Sequence, residues 1–222
     1  KTSTDKIIGS WDAECNPPTS CLPGIVGLYN TSSCSKLVCG HYASEAECTI
    51  PTSGSATINS DCILYSEIVV TGSLNITGVP DAQGNLPKII GGGSNRLFKV
   101  ESGRMLVVKS LNLTGGDVSG NDGTSGNSLG GSIYKNGNGV VRISHTVITG
   151  NKAAWGGAIY SWGDSSIVEI KNSNISRNIA TSGHGGGVFV KGGKSYIHDS
   201  FLSFNNAMGT RGGGGYFEGN VV

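Results

Sequence analysis

The chain has 222 residues, of which 37 are glycine and 6 are proline, and its formal net charge at pH 7 is +1. The glycines do not recur at every third position, which excludes collagen. Charged residues make up only 14% of the chain, which argues against a nucleic-acid-binding protein and against charge-driven disorder. No apolar run reaches the roughly 18 residues that a membrane-spanning helix needs.

The N-terminal segment holds every cysteine of the chain. An even number of cysteines in a short segment is typical of a disulfide framework in an oxidising compartment, and the C-x₂-C pairs that zinc sites favour are missing. The six residues are Cys15, Cys21, Cys34, Cys39, Cys48 and Cys62. Their pairing stays open. We predict that residues 1–55 form a disulfide-rich cap over the first apolar coil, with a separate small binding module as the alternative. A first residue of Lys1 instead of Met suits a secreted chain that has lost its signal peptide.

Residues 56–222 contain internal repeats. When the repeats are aligned, each has an aliphatic residue that is followed directly by a residue with a hydroxyl group. Three of the repeats also have an asparagine two positions after the hydroxyl residue. We call each set of aligned positions a column. The aliphatic column is Ile76, Leu113, Ile148, Ile175 and Leu202. The hydroxyl column is Thr77, Thr114, Thr149, Ser176 and Ser203. The asparagine column is Asn151, Asn178 and Asn205, which are equally spaced along the chain. Upstream, the repeats share another apolar position, occupied by Val108, Ile143, Ile170 and Ile197, with Thr71 in its place in the first copy.

Paired glycines separate these strand-like segments. The blocks begin at Gly130, Gly156, Gly186 and Gly214. Short alternating strands with glycine-rich corners, repeating about every 26–37 residues, predict an all-β fold in which each repeat is one coil of a parallel β-helix. Residues 115–131 form a polar excursion that we expect to stay out of the core. The asparagine column is expected to form a ladder of side-chain amides, stacked coil on coil.

The repeats resemble those of chlamydial polymorphic outer membrane proteins, whose signature is GGA(I/L/V) plus FxxN. Gly156-Gly-Ala-Ile matches the first half, and Ile148-Thr-Gly-Asn matches the second half with an aliphatic residue in place of Phe. The resemblance covers roughly residues 130–220. It implies a right-handed β-helix that is exposed at a cell surface and adhesive, and it implies no catalytic centre.

Four N-x-S/T sequons are candidate sites for N-linked glycans: Asn30, Asn75, Asn112 and Asn174. In the alignment, the last three share one column, directly before the aliphatic position. Alternation along a strand turns that column outward, so glycans there would line one face of the solenoid.

No group of residues predicts catalysis, a metal site or a cofactor. Gly183-His184-Gly185 resembles a polygalacturonase motif, but the carboxylate pair and the Arg-x-Lys partner of that family are missing. Asp117 and Asp122 lie in the excursion, where they read as turn residues more readily than as calcium ligands. Trp155 and Trp162 lie in one glycine-rich connection and are candidates for sugar contacts.

The sequence therefore predicts a secreted or cell-surface glycoprotein with a structural or adhesive role. Its partners would be a surface carbohydrate or a protein receptor, or further copies of the chain, because the last coil has no evident cap and would allow copies to stack end to end into a filament. The alternative is a carbohydrate-active enzyme, such as a polysaccharide lyase, hydrolase or epimerase, built on the same fold.

Overall fold

The computed structural model describes residues 46–120, 126–209 and 211–221. The chain divides into two units, and the described residues belong to the second, which starts at Glu45. The described residues form parallel β-strands and one 3₁₀ helix at Gly126–Ser128. Outside them lie Asn30, Cys15, Cys21, Cys34, Cys39 and Asp122.

The first sheet has seven strands, and every neighbouring pair is parallel. In spatial order it comprises β1 (Ala46–Glu47), β3 (Cys62–Leu64), β6 (Lys88–Gly91), β9 (Asn112–Thr114), β12 (Val147–Thr149), β16 (Asn174–Ser176) and β19 (Phe201–Ser203). Sequence order and spatial order agree, so each strand pairs with the strand one circuit later in the chain. We call each circuit a coil.

The second sheet has eleven strands in two rows. The rows meet at β18 (Val188–His198), whose N-terminal half pairs with β14 (Ile159–Trp162) and whose C-terminal half pairs with β15 (Ser166–Lys171). One row is β4 (Ile68–Val70), β7 (Phe98–Val100), β10 (Ile133–Asn136) and β14 (Ile159–Trp162). The other row is β2 (Gly54–Ile58), β5 (Ser73–Gly78), β8 (Arg104–Lys109), β11 (Gly139–Ser144) and β15 (Ser166–Lys171). Both rows meet β18 (Val188–His198), which pairs with β21 (Gly215–Val221). A third sheet comprises β13 (Lys152–Ala153), β17 (Ile179–Ala180) and β20 (Asn206–Ala207).

The sheets surround one hydrophobic core. Successive side chains of a strand point to opposite faces, so in β5 Leu74 and Ile76 are fully buried while Asn75 and Thr77 are exposed. Burying one such aliphatic side chain stabilises the fold by about 1.5–3 kcal/mol. The core column of the seven-stranded sheet is Cys62, Ile89, Leu113, Ile148, Ile175 and Leu202.

The pairing corrects the first copy of the aligned repeat. Ile76 pairs with Val108 in the eleven-stranded sheet, and Ile89 takes the place before Leu113 that the alignment gave to Ile76. Asn75 therefore does not share a column with Asn112 and Asn174. The coil that ends at Leu113 starts at Ile89, so the longer interval from Ile76 to Leu113 does not measure a coil.

The glycine blocks also align differently from the sequence-based prediction. Ile133, Ile159 and Val188 pair in register, which places Gly130, Gly156, Gly185 and Gly212 at the same corner. All four glycines have a positive φ, between 58° and 70°. A Cβ atom there would lie within 2.4 Å of a backbone oxygen, so only glycine fits. The sequence alignment was one residue off at Gly186 and two residues off at Gly214.

Cys48 and Cys62 form a disulfide between the segment after β1 and the start of β3, with their Cα atoms 5.0 Å apart. Both cysteines are buried in the hydrophobic core. The parallel sheets therefore begin before residue 56, inside the segment that the sequence assigned to the cap.

Two ladders of side chains connect successive coils. Asn178 Oδ1 accepts hydrogen bonds from the backbone N and Nδ2 of Asn151, at 2.9 and 3.0 Å, and Asn205 Oδ1 accepts the same pair from Asn178, at 3.0 Å each. One corner away, Ser173 Oγ accepts from the backbone N of Thr146, and Ser200 Oγ accepts from the backbone N of Ser173. Each coil therefore donates hydrogen bonds to the coil that follows it.

An aromatic stack runs along the row that contains β10 and β14, on the face that points away from the core. Tyr134, Tyr160, Phe189 and Tyr216 are consecutive members, with ring centroids 5.7, 4.8 and 5.2 Å apart. Stacked aromatic pairs contribute about 0.5–1.5 kcal/mol each beyond the area that they bury. Together with Leu129 they form a second hydrophobic cluster, separate from the core.

Part of the excursion covers this stack; the sequence predicted only that residues 115–131 stay out of the core, and did not predict this packing. Leu129 is buried in the aromatic cluster, and Val118 is buried as well. Arg96 holds the segment in place: it lies 4.8 Å from the centre of the Tyr134 ring, donates to the carbonyl oxygens of Leu129 and Gly126, and forms an ion pair with Glu67.

Lys135 is the largest polar side chain that is fully buried among the described residues. It shares an inward-facing column with Val100 and Ser161, and its Nζ donates to the carbonyl oxygen of Gly137 at 2.6 Å. Burial lowers the pKa of the Lys135 ammonium from 10.5 to about 8, because the charged form loses its hydration.

The first prediction concerns the asparagine ladder. Asn178→Ala should lower the free energy of unfolding by about 2–4 kcal/mol, because the fully buried amide also donates to the carbonyl oxygens of Ile148 and Ser176. Asn205→Ala is the control, since that side chain is half-buried and water can replace part of its hydrogen bonding. Urea unfolding of both variants measures the difference, and equal losses would contradict a special role for the buried amide.

The second prediction concerns the buried lysine. The pKa of Lys135 is near 10.5 in the unfolded chain and about 8 in the folded chain. Between these pH values the unfolded chain binds more protons than the folded chain, so the free energy of unfolding increases with pH. At pH 7 the full penalty is present. Lys135→Met should therefore stabilise the protein at pH 7, by on the order of 1–3 kcal/mol, and abolish this part of the pH dependence. Lys109→Met, at an exposed position, should do neither. Urea unfolding at pH 7 and at pH 9.5 gives the free energy of unfolding at each pH. If Lys135→Met keeps the same difference between the two pH values as the parent chain, Lys135 is not the group with the lowered pKa.

Candidate groove on the seven-stranded sheet

One outward-facing row of side chains follows the seven-stranded sheet. It consists of Lys88, Asn112, Val147, Asn174 and Phe201, which the strand pairing places side by side. Neighbouring parallel strands lie about 4.8 Å apart, so the row is roughly 19 Å long. We call it the central row.

A groove runs over the central row. Its first half has a volume of about 470 Å³ and lies beside the loop at residues 79–87. Its second half has a volume of about 450 Å³ and lies beside the corners that precede β12, β16 and β19. Both halves share Leu86 and Val147, so they are parts of one groove.

Asp81 organises the loop that walls the first half. Its Oδ1 accepts from the backbone N of Gln83 and of Asn85, at 2.9 and 2.8 Å, and its Oδ2 accepts from Asn85 Nδ2 at 2.8 Å. These hydrogen bonds, first of all the one from the Asn85 side chain, lower the pKa of the Asp81 carboxyl below its usual value. The wall is therefore a closed turn with a fixed negative charge.

Charged and amide groups line the floor of the first half. Lys88 pairs with Asp61: Nζ lies 3.0 Å from Oδ2, and the backbone N donates to Oδ1 at 2.9 Å. The neighbouring Asn112 donates its backbone N to the carbonyl oxygen of Pro87. Asn112 Oδ1 is buried and has no hydrogen-bond partner among the described residues. A buried amide oxygen without a partner marks a place where a ligand hydroxyl or a water would gain a hydrogen bond.

The wall of the second half is formed by corner residues in the left-handed conformation. His145, Asn172 and Asp199 have φ values of 52°, 47° and 47°, a region in which Asn, Asp and His are enriched. Asn172 Nδ2 lies 3.4 Å from His145 Nε2. The Thr146, Ser173 and Ser200 ladder fixes the residue after each corner, so the wall repeats at each coil.

The floor of the second half is apolar. Val147 is half-buried, and Phe201 is 71% exposed. Asn174 lies between them and is exposed. Apolar faces on either side of an amide, with the carboxylate of Asp199 in the wall, suit a ligand that has both C–H faces and hydroxyl groups, which is the chemistry of a sugar ring.

The structure divides the predicted glycosylation sites. Asn112 and Asn174 lie in the groove. Asn75 is exposed in the other sheet, in an outward row with Val107 and Arg142. The fourth sequon lies outside the described residues.

The other residues singled out in the sequence do not join the groove. Asp117 Oδ1 accepts from the backbone N and the hydroxyl of Ser119, as in an ordinary turn. His184 packs against Trp155 and Tyr216, with ring centroids 4.8 and 5.1 Å apart. Trp162 is half-exposed beneath the ammonium of Lys191. Within residues 46–120, 126–209 and 211–221, no three His, Cys, Asp or Glu side chains are grouped as metal ligands.

The groove and the ladder of Thr146, Ser173 and Ser200 were not predicted from the sequence. A signal for the ladder was present: Thr146, Ser173 and Ser200 follow one another at equal intervals, each directly after a residue that tolerates a positive φ. The groove had no comparable signal, because its first wall comes from a loop outside the repeat.

No protein-family description, no curated protein and no solved structure matches this chain. Among the described residues, no helix has the length and apolar character to cross a membrane.

The third prediction concerns the sequons. When the chain is expressed through a eukaryotic secretory pathway, Asn75 and Asn174 should carry glycans, because both side chains are exposed. Asn112 should stay largely unmodified, because its amide is half-buried with Oδ1 enclosed by the groove. Glycopeptide mapping measures the occupancy of each site. Asn112→Gln should leave the glycan mass unchanged, and full occupancy of Asn112 would contradict the burial argument.

Proposed function

We propose that this protein is an extracellular right-handed parallel β-helix that serves as a structural or adhesive surface element, and that the groove over the central row is its carbohydrate-binding site. The observation that carries the proposal is the groove itself, in which the apolar surfaces of Val147 and Phe201 alternate with the amides of Asn112 and Asn174. The ligand class is a neutral or weakly charged oligosaccharide that spans several strands.

The right-handed path has a general physical basis. Connections between parallel strands of one sheet are right-handed in about 98% of cases, because the strand twist favours that path. The row β8, β11 and β15 consists of such parallel neighbours, each one coil apart.

An extracellular location agrees with the Cys48–Cys62 disulfide, since disulfides persist mainly in oxidising compartments.

The mechanical role is supported by the hydrogen-bonded ladders. Residues fixed to both neighbouring coils make a stiff scaffold, and a stiff scaffold keeps the groove open without a ligand. Binding then costs little ordering of the protein.

The fourth prediction tests the groove. Phe201→Ala should raise the dissociation constant for the oligosaccharide at least tenfold, because it removes the most exposed apolar surface of the floor. Phe204→Ala is the matched control: Phe204 is 83% exposed in the same coil and does not line the groove, so its loss should leave affinity unchanged.

The measurement is binding to a panel of immobilised neutral and acidic oligosaccharides, followed by calorimetry. The parent chain and both variants are produced in a host that adds no N-linked glycans, so that Asn174 keeps its amide and no glycan of the protein itself fills the groove. Absence of binding across the panel, or equal losses in both variants, would overturn the carbohydrate site. New reducing or unsaturated chain ends after incubation would instead establish the enzymatic alternative.

A further inference from the structure

A second row of polar side chains crosses the eleven-stranded sheet on the face that points away from the core. The strand register places its members side by side, near the C-terminal ends of β2, β5, β8, β11, β15 and β18: Thr57, Thr77, Lys109, Ser144, Lys171 and His198. We call it the basic row. Its central strands, β8, β11 and β15, each pair on both sides, so this surface does not depend on the ends of the sheet.

Two lysines flank a hydroxyl group at the centre of the basic row. Lys109 and Lys171 are exposed, and Ser144 lies between them, half-buried. Within the described part of the chain, neither lysine forms an ion pair. Because neighbouring parallel strands are about 4.8 Å apart, the two lysines are roughly 9.6 Å apart along the row. The basic row thus presents two uncompensated positive charges with a hydroxyl group midway between them.

The acidic side chains nearest to the basic row have other partners or face the groove. In the adjacent outward row, Arg142 and Glu169 neutralise each other, with Arg142 Nε 3.0 Å from Glu169 Oε2. Asp199 lies in the corner after His198 and lines the groove. The face that carries the basic row therefore has a net positive charge, which attracts anionic ligands most strongly at low ionic strength.

The apolar side chains of the same face are too flat for insertion into a membrane. They are all half-buried: Met105, Val107, Val140, Ile167 and Tyr196. None of the large hydrophobic side chains that are exposed among the described residues belongs to this face. Proteins that lie in the membrane interface bury protruding apolar side chains there. This face offers charge without such side chains, so it suits an anionic polymer in solution better than a lipid surface.

The spacing of the two lysines suits a polysaccharide better than an acidic peptide. Side chains on one face of an extended peptide recur about every 6.7 Å, which does not match the roughly 9.6 Å between Lys109 and Lys171. A peptide would also find no free strand edge at β8, β11 or β15. One sugar unit of an extended polysaccharide is about as long as the distance between neighbouring strands. Two sugar units therefore span the lysine pair.

We propose that the basic row binds an acidic polysaccharide that carries one anionic group on every second sugar. The polymer runs along the row, across the strands. Its anionic sugars contact Lys109 and Lys171, and the neutral sugar between them contacts the Ser144 hydroxyl. Thr57 and Thr77 extend the row with further hydroxyl groups for the next sugars. This inference does not rest on carbohydrate binding in the groove, which lies over the other sheet.

Hyaluronan fragments are the probe, because they carry one carboxylate on every second sugar. The chain is produced in a host that adds no N-linked glycans, since Asn75 lies in the adjacent outward row. The double variant Lys109→Gln, Lys171→Gln should raise the dissociation constant at least tenfold, as measured by calorimetry. The control is Lys99→Gln, Lys191→Gln, which removes the same formal charge from the other row of this sheet and should bind like the parent chain.

Three outcomes of this experiment would overturn the proposal. The first is that the parent chain does not bind hyaluronan, and the second is that both double variants lose the same affinity. The third is that Phe201→Ala weakens hyaluronan binding, which would place the polymer in the groove. If Phe201→Ala leaves this affinity unchanged, the basic row and the groove are separate sites, and each can fail without the other.

Ser144→Lys tests the alternation of charge. It adds a third ammonium group between Lys109 and Lys171, so that three consecutive strands carry a positive charge. Polygalacturonate, which has a carboxylate on every sugar, should then bind at least fivefold more tightly. Hyaluronan should gain less, because its sugar at this position has no anionic group. If both polymers gain equally, net charge and not spacing determines binding, and the proposal fails.

Discussion

Each coil of this protein completes the hydrogen bonds of the coil before it, and the rest of the structure depends on that constraint. Asn178 shows why: its buried amide contacts Asn151, Asn205 and the carbonyl oxygens of Ile148 and Ser176. Leaving any of these polar groups buried without a partner would cost about 1–3 kcal/mol. The strands and corners that the ladders join therefore keep a constant spacing over the last coils, whereas the glycine corners at Gly156 and Gly185 are further apart than those at Gly185 and Gly212.

The same constraint explains how a groove arises on a repetitive surface. The ladders fix the corners at His145, Asn172 and Asp199, so the central row and one wall of the groove repeat from coil to coil. The other wall comes from the loop at residues 79–87, which is free to differ because no ladder passes through it. A rigid scaffold that carries one variable loop is a common arrangement for binding sites. Here the loop is itself held closed by Asp81.

The sequence predicted the repeat best where the ladders enforce it. Ile148, Ile175 and Leu202 were placed correctly because equal intervals leave one alignment. The first copy was misplaced because Ser73-Leu-Asn-Ile-Thr-Gly and Ser110-Leu-Asn-Leu-Thr-Gly read alike, although they lie in different sheets. Strand alternation is the same in every sheet, so a local pattern cannot say which sheet a strand joins. Glycine runs are ambiguous for a similar reason: the strand register and the positive φ, which identify Gly185 as the corner residue, are both features of the folded chain.

The two halves of the groove differ in what fixes them. In the first half, Asp81 closes the loop and Lys88 pairs with Asp61, so charged groups hold both the wall and the floor. In the second half, Val147 and Phe201 present apolar surface beside corners that the Ser173 and Ser200 hydroxyls hold. A sugar that spans both halves would therefore place hydroxyl groups against the first half and C–H faces against the second.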